Sequence, residues 1–167
     1  MVSSNIYHYI GNVHTVRGMS MAPAINPGPS LRELREKVWV NKLSITQGRY
    51  TPQVGDIIVF KSPKHGSRIA CKRVVGVEND LIQPSKGQRT PEVIKKHHVW
   101  VESDNARTQG RDSNEYGQLH VGLIFGTVER FIWPRMLQKI PGRLVPLEFE
   151  GSEEQTVLPN MPIPPGL

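Results

Sequence analysis

Gly55-Asp56-Ile57-Ile58-Val59-Phe60, followed shortly by Arg68-Ile69-Ala70-Cys71-Lys72-Arg73-Val74-Val75-Gly76-Val77, is the stretch that decides the fold. Both runs are rich in β-branched residues. Residues 63–66 between them carry Pro and Gly at turn positions. Both runs read as strands. Short strands punctuated by Gly and Pro turns point to an antiparallel arrangement.

Outward from this pair the chain continues in the same idiom. Residues 38–45, 98–102 and 122–133 read as further strands, and residues 80–83 as the return partner of 68–77. Residues 31–37 form the best helical stretch, and 85–96 a polar, basic surface excursion. The 15 glycines and 14 prolines in 167 residues exceed the usual share of about 12% for the pair. Such punctuation favours short strands and turns over a helical bundle. The fold class expected is mainly β, an antiparallel arrangement with short helical segments. Three parts are expected: an N-terminal segment 1–16 without a complete membrane anchor, a folded domain 17–141, and a flexible Pro-rich acidic tail 142–167.

Composition narrows the functional classes. A single Cys excludes an intramolecular disulfide and any Cys-based zinc cluster. No apolar run approaches the roughly 20 residues that a helical span requires, and the polar residues among the first 16 do not fit a secretory signal. The net charge of +6 permits an anionic partner and requires none. Aromatic residues are not interleaved with Lys and Arg along one strand, as a nucleic-acid stacking platform needs, so no nucleic acid is expected as a partner. The six His lack metal-ligand spacing, and neither a metal nor another cofactor is expected. Cys71 and the three Trp (39, 100 and 133) read as packing residues.

Three polar segments could carry chemistry. Ser20 lies in Arg17-Gly18-Met19-Ser20-Met21-Ala22-Pro23, a constrained turn able to expose a hydroxyl; alone it is an ordinary loop serine. Lys72 sits between Ala70-Cys71 and Val74-Val75, where apolar surroundings disfavour the ammonium. Bringing a lysine from about 10.4 to about 7.5 costs roughly 4 kcal/mol and yields the neutral amine that a general base must be. Alone it is equally a lysine snorkelling on a basic strand. The third segment joins Asp104-Asn105 to Asp112-Ser113-Asn114-Glu115-Tyr116-Gly117. Its short polar side chains can brace neighbouring loops, and alone it is an Asx-rich turn.

In this order the three segments resemble the type I signal peptidase superfamily, whose members hydrolyse peptide bonds with a Ser–Lys dyad. GMSMAP is similar to the nucleophile box, CKRVVG to the Lys box and DNARTQGRDSNEYG to the third box. Within the superfamily the likeness is greatest to the mitochondrial inner membrane proteases of the subunit 2 type. It is carried by INPG after the nucleophile box, by Asn114 where subunit 1 usually has Arg, and by the VGLIFG–IWP ending. The resemblance implies a serine endopeptidase with Ser20 as nucleophile and Lys72 as general base. Gly18 and the Ser20 N–H would serve the oxyanion, with Asp112 and Ser113 as support. Gly110 stands where the third box usually has a Ser that hydrogen-bonds the Lys.

The implied substrates are precursor proteins with cleavable sorting signals, and the implied partner is a second protease subunit in a heterodimer. The implied setting is the inner membrane surface on its intermembrane-space side. Small residues are expected before the cut, with residues 57–60 and 19–21 lining the pockets. The alternative is a non-catalytic subunit of the same complex. A self-cleaving repressor is disfavoured, because the Ala-Gly and Cys-Gly dipeptides cut in that class are absent.

Overall fold

The computed structural model describes residues 9–28, 35–64, 66, 68–85, 90–105 and 111–140. Nine strands run through them: β1 (Gly11–Thr15), β2 (Lys37–Asn41), β3 (Ile57–Lys61), β4 (Ile69–Gly76), β5 (Leu81–Ile82), β6 (Glu92–Val93), β7 (His98–Glu102), β8 (Leu119–His120) and β9 (Ile124–Trp133). Two one-turn helices, α1 (Leu43–Thr46) and α2 (Ser113–Tyr116), interrupt them. Seven strands form one sheet in the order β1-β2-β9-β3-β4-β7-β8, every pairing antiparallel, while β5 and β6 pair separately. The mainly antiparallel β class is therefore what the structure has.

The unbroken apolar run at residues 57–60 has a direct packing explanation. Ile57 and Val59 join a core cluster with Met21, Ile25, Val38, Val40, Val128 and Phe131. Ile58 and Phe60 join a second one with Val74, Val99, Val101, Leu119 and Ile124. With both faces of β3 covered, each of these side chains contributes roughly 1.5–3 kcal/mol by leaving water. On β4 the alternation continues, with Cys71 packed on the first cluster and Ala70 on the second. A bulge then shifts the register from Val74↔Val101 to Gly76↔Trp100, and Val75 packs with Ile82, Ile94 and Trp100. A Cβ at Gly76 would come within 2.7 Å of both Ile82 Cδ1 and Ile94 Cδ1, so a larger residue there would have to displace these two side chains.

Several expectations are corrected. Residues 80–83 do not return along β4, because β3 and β7 occupy both of its edges; Leu81–Ile82 pairs with Glu92–Val93 instead. The strand expected to reach residue 45 ends at Asn41, whose side-chain oxygen accepts from the Leu43 N–H as the chain enters α1. β1 was not anticipated. Trp133 is 49% exposed, not packed. Most of the helix expected over 31–37 lies outside the described residues, and its last residue, Lys37, opens β2. The tail expected over 142–167 also lies outside them. Among the described residues, no helix is long and apolar enough to cross a membrane.

Candidate active site

Gly18 enters the Ser20 turn with φ +88°, a left-handed backbone suited to glycine. Met21 is buried in the first core cluster and anchors the turn from inside. The loop closes on itself through Ala22 N–H to Met19 C=O (3.1 Å) and Ile25 N–H to Met21 C=O (2.7 Å). Ser20 itself is half-buried. From across the fold, Asn105 holds the same turn twice. Its N–H donates to the Ser20 carbonyl (3.1 Å) and its Nδ2 to the Met19 carbonyl (3.1 Å). A trans peptide is planar, so fixing the Met19 carbonyl also fixes the Ser20 N–H pointing the opposite way.

Lys72 lies on β4 opposite Ile58 and is 6% exposed. Its neighbour Arg73 is more deeply buried and forms a two-pronged ion pair with Asp104, Nε to Oδ1 at 2.8 Å and Nη2 to Oδ2 at 2.7 Å. The third guanidinium nitrogen donates to the Gly55 carbonyl at 2.8 Å. Asp112 caps α2: its Oδ1 accepts from the Asn114 N–H (3.2 Å) and Nδ2 (3.2 Å). Its Oδ2 accepts from the N–H and hydroxyl of Ser103 at 3.2 and 3.0 Å. Ser113 is fully buried, and its hydroxyl accepts the Val101 N–H at 2.9 Å, joining α2 to β7. Asn114 also donates to Glu102 Oε1 at 3.0 Å.

Three consecutive residues after β7 therefore gather the motifs. Ser103 holds Asp112, Asp104 holds the residue next to Lys72, and Asn105 holds Ser20. Sequence reasoning passed over Arg73 as the link to Asp104. The available signal was a cation inside an apolar strand run, where an unpaired charge is costly. Gly110 lies outside the described residues.

Other features set limits on the chemistry. Burial pushes the Cys71 thiol up to about 12; the positive charge of Lys72 opposes the shift, Asp104 adds to it and Arg73 opposes it. A thiol that stays protonated is a poor nucleophile. Residues 57–60 are at most 5% exposed and β3 has strand neighbours on both edges. Ile58, Val59, Phe60 and Met21 pack into the core clusters, while Ile57 also borders the cleft described next. A cleft of about 560 Å³ lined by Tyr50, Asp56, Arg73, Arg130 and Lys139, among others, includes neither Ser20 nor Lys72. Among the described residues, no group of three or more His, Cys, Asp or Glu could hold a metal ion.

Comparison with known proteins gives this arrangement its family. Residues 3–90 match the model of signal peptidase, peptidase S26, and the chain belongs to that family. It is 32% identical over 134 residues to mitochondrial inner membrane protease subunit 2 of Danio rerio, covering 80% of this chain and 70% of that one. It is 35% identical over 131 residues to mitochondrial inner membrane protease subunit 1 of Mus musculus, covering 77% and 73%. Subunit 2 of Saccharomyces cerevisiae is 32% identical over 136 residues, covering 80% and 72%. Among solved structures, a signal peptidase I from Enterococcus faecalis aligns with a TM-score of 0.39 at 17% identity, covering 47% of this chain and 97% of that one.

Proposed function

We propose that the chain is a serine endopeptidase that removes N-terminal sorting peptides from precursor proteins, working as one subunit of a protease at the mitochondrial inner membrane. The intermembrane-space side is the proposed location, and a second, related subunit the proposed partner. The names of its relatives support this setting. The observation that carries the mechanism is the segment 103–105, which ties the turn bearing Ser20, the strand bearing Lys72 and the cap Asp112 into one hydrogen-bonded unit.

In the proposed reaction the neutral Lys72 amine takes the proton of the Ser20 hydroxyl as its oxygen attacks the scissile carbonyl carbon. Burial favours a neutral amine over an ammonium. The carbonyl π pair moves onto oxygen, and the Ser20 N–H donates to the resulting oxyanion. Collapse of the tetrahedral intermediate breaks the C–N bond. The Lys72 ammonium returns the proton to the leaving amine and leaves an acyl-Ser20 ester. Lys72 then takes a proton from water as the water oxygen attacks the ester carbon. The acyl C–O bond to Ser20 breaks, releasing the acid, and the Lys72 ammonium returns its proton to the Ser20 oxygen.

The test is precursor cleavage by the full chain reconstituted with its partner subunit. Ser20→Ala should abolish acyl-enzyme formation. Lys72→Ala should be comparably severe, because the two groups act as a unit. Lys72→Arg should fail as well, since a guanidinium does not give up its proton in a protein. The wild-type rate should climb with pH as Lys72 loses its proton, while His97→Ala and His98→Ala should leave turnover unchanged. Near-wild-type activity of Lys72→Arg would overturn the mechanism. An inert wild type, under conditions where the partner cleaves its own substrates, would establish a non-catalytic subunit instead.

A further inference from the structure

Next to the Ser20 turn lies a buried polar network that nothing in the mechanism above uses. Asn26 is 3% exposed and holds a left-handed backbone at φ +56°, a conformation asparagine tolerates better than most residues. Its Nδ2 donates to the carbonyls of Val16 (3.1 Å) and Gly18 (3.0 Å), at the entrance to the turn. Its Oδ1 accepts the Glu36 N–H (3.0 Å), and its own N–H donates to Glu36 Oε2 (2.7 Å). Glu36 is completely buried, and Arg135, just beyond β9, grips its carboxylate from the other side, Nε to Oε1 and Nη2 to Oε2 at 2.8 Å each. The same Nη2 donates to the Ala24 carbonyl at 2.9 Å, and the guanidinium stacks 3.6 Å from the Phe131 ring centroid.

We infer that Asn26, held by the Glu36–Arg135 pair, is a positioning residue that sets the Ser20 turn for catalysis. The inference rests on the reading of Ser20 as nucleophile. Each carbonyl from Gly18 to Met21 accepts a hydrogen bond: Gly18 from Asn26, Met19 from Asn105 and Ala22, Ser20 from Asn105, Met21 from Ile25. Because peptide planes are rigid, pinning consecutive carbonyls orients the intervening N–H groups and the Cα of Ser20. Asn105, which follows β7, and Asn26, bonded to Glu36 just before β2, divide the first three of these carbonyls between them. A buried carboxylate leaves water only when its partners are well placed. Glu36 meets that condition by meeting Arg135 with both oxygens and Asn26 with one. A fork-to-fork pair has one geometry, so the network gives Asn26 a single position.

The test compares wild type, Asn26→Gly, Arg135→Lys and Ser20→Ala as full chains reconstituted with the partner subunit, each assayed below its melting temperature. Asn26→Gly keeps the left-handed backbone and deletes both carbonyl clamps. It should lower kcat about 100-fold, the cost of a displacement near 1 Å, while KM for a precursor peptide stays unchanged. Arg135→Lys keeps the charge beside Glu36 and loses the fork, so it should lower kcat by less, again without moving KM. In a Ser20→Ala background neither substitution should reduce the residual rate further. If Asn26→Gly fails to fold, Arg135→Lys decides. An unchanged kcat in the folded variant, or a parallel rise in KM, overturns the inference. If Ser20→Ala itself turns over normally, the nucleophile assignment fails and takes the inference with it. If Ser20→Ala is inert and Asn26→Gly matches wild type, only the positioning role is lost.

Discussion

At the scale of single residues, strand alternation gives two adjacent side chains on β4 opposite fates. Cys71 packs against the cluster that contains Met21, whereas Lys72 lies opposite Ile58 of the other cluster. The thiol, pushed up to about 12 chiefly by burial, stays protonated through the working range. Iodoacetamide at pH 8 should therefore leave Cys71 unlabelled in the folded chain and label it fully after denaturation, read by mass spectrometry. Rapid labelling of native protein at pH 8 would contradict a thiol held in its protonated form. The same shift has a stability consequence. Because the folded state holds the proton more tightly than the unfolded state, whose ordinary value is 9.0, this group's contribution is intact below pH 9. It is lost as pH rises from 9 toward 12. A Cys71→Ala variant should show a flatter decline over that window in denaturant titrations.

At the scale of elements, β9 depends on one small residue where it crosses β2. A Cβ built on Gly126 runs into Val40 Cγ1, in the middle of the first core. Gly126→Ala should cost about 1–3 kcal/mol through overpacking, measured by urea unfolding. Adding Val40→Ala should recover part of the loss, and an additive double mutant would show that the two do not meet. The elements also show what was legible in the chain. The runs that became β3, β4, β7 and β9 were readable because apolar and β-branched residues are concentrated there between turn residues. β1 was not, since Gly11-Asn12-Val13-His14-Thr15 is polar at alternate positions and pairs on one edge only. The pairing of β5 with β6 depends on which edges of β4 remain open, a property of the whole sheet. Within the candidate site, Ser20, Lys72 and the Asp112 segment stood out by order and residue type. Asn26, Glu36 and Arg135 did not, because a network of three distant residues follows no local period.

At the scale of the whole molecule, the Arg73–Asp104 pair is the joint between the sheet and the turn bearing Ser20. Its side chains are 2% and 13% exposed, so each charge relies on the other in place of water. Removing one partner of such a pair costs about 3–5 kcal/mol, whereas replacing both by apolar groups of similar size is often close to neutral. Arg73→Met should therefore destabilise strongly, and Arg73→Met with Asp104→Leu should regain most of the loss, giving a coupling energy of about 3 kcal/mol in a double-mutant cycle. Cleavage should not follow stability back. Asp104 sets the path of the chain into Asn105, and Asn105 holds the Met19 and Ser20 carbonyls. A stable double mutant lacking the ion pair should thus keep its fold, by circular dichroism and melting temperature, and still cleave precursor slowly. If the repaired variant regained full turnover, segment 103–105 would be structural filling and its link to Ser20 would carry no catalytic weight. Recovered stability with depressed kcat would separate what holds this sheet together from what aims the serine.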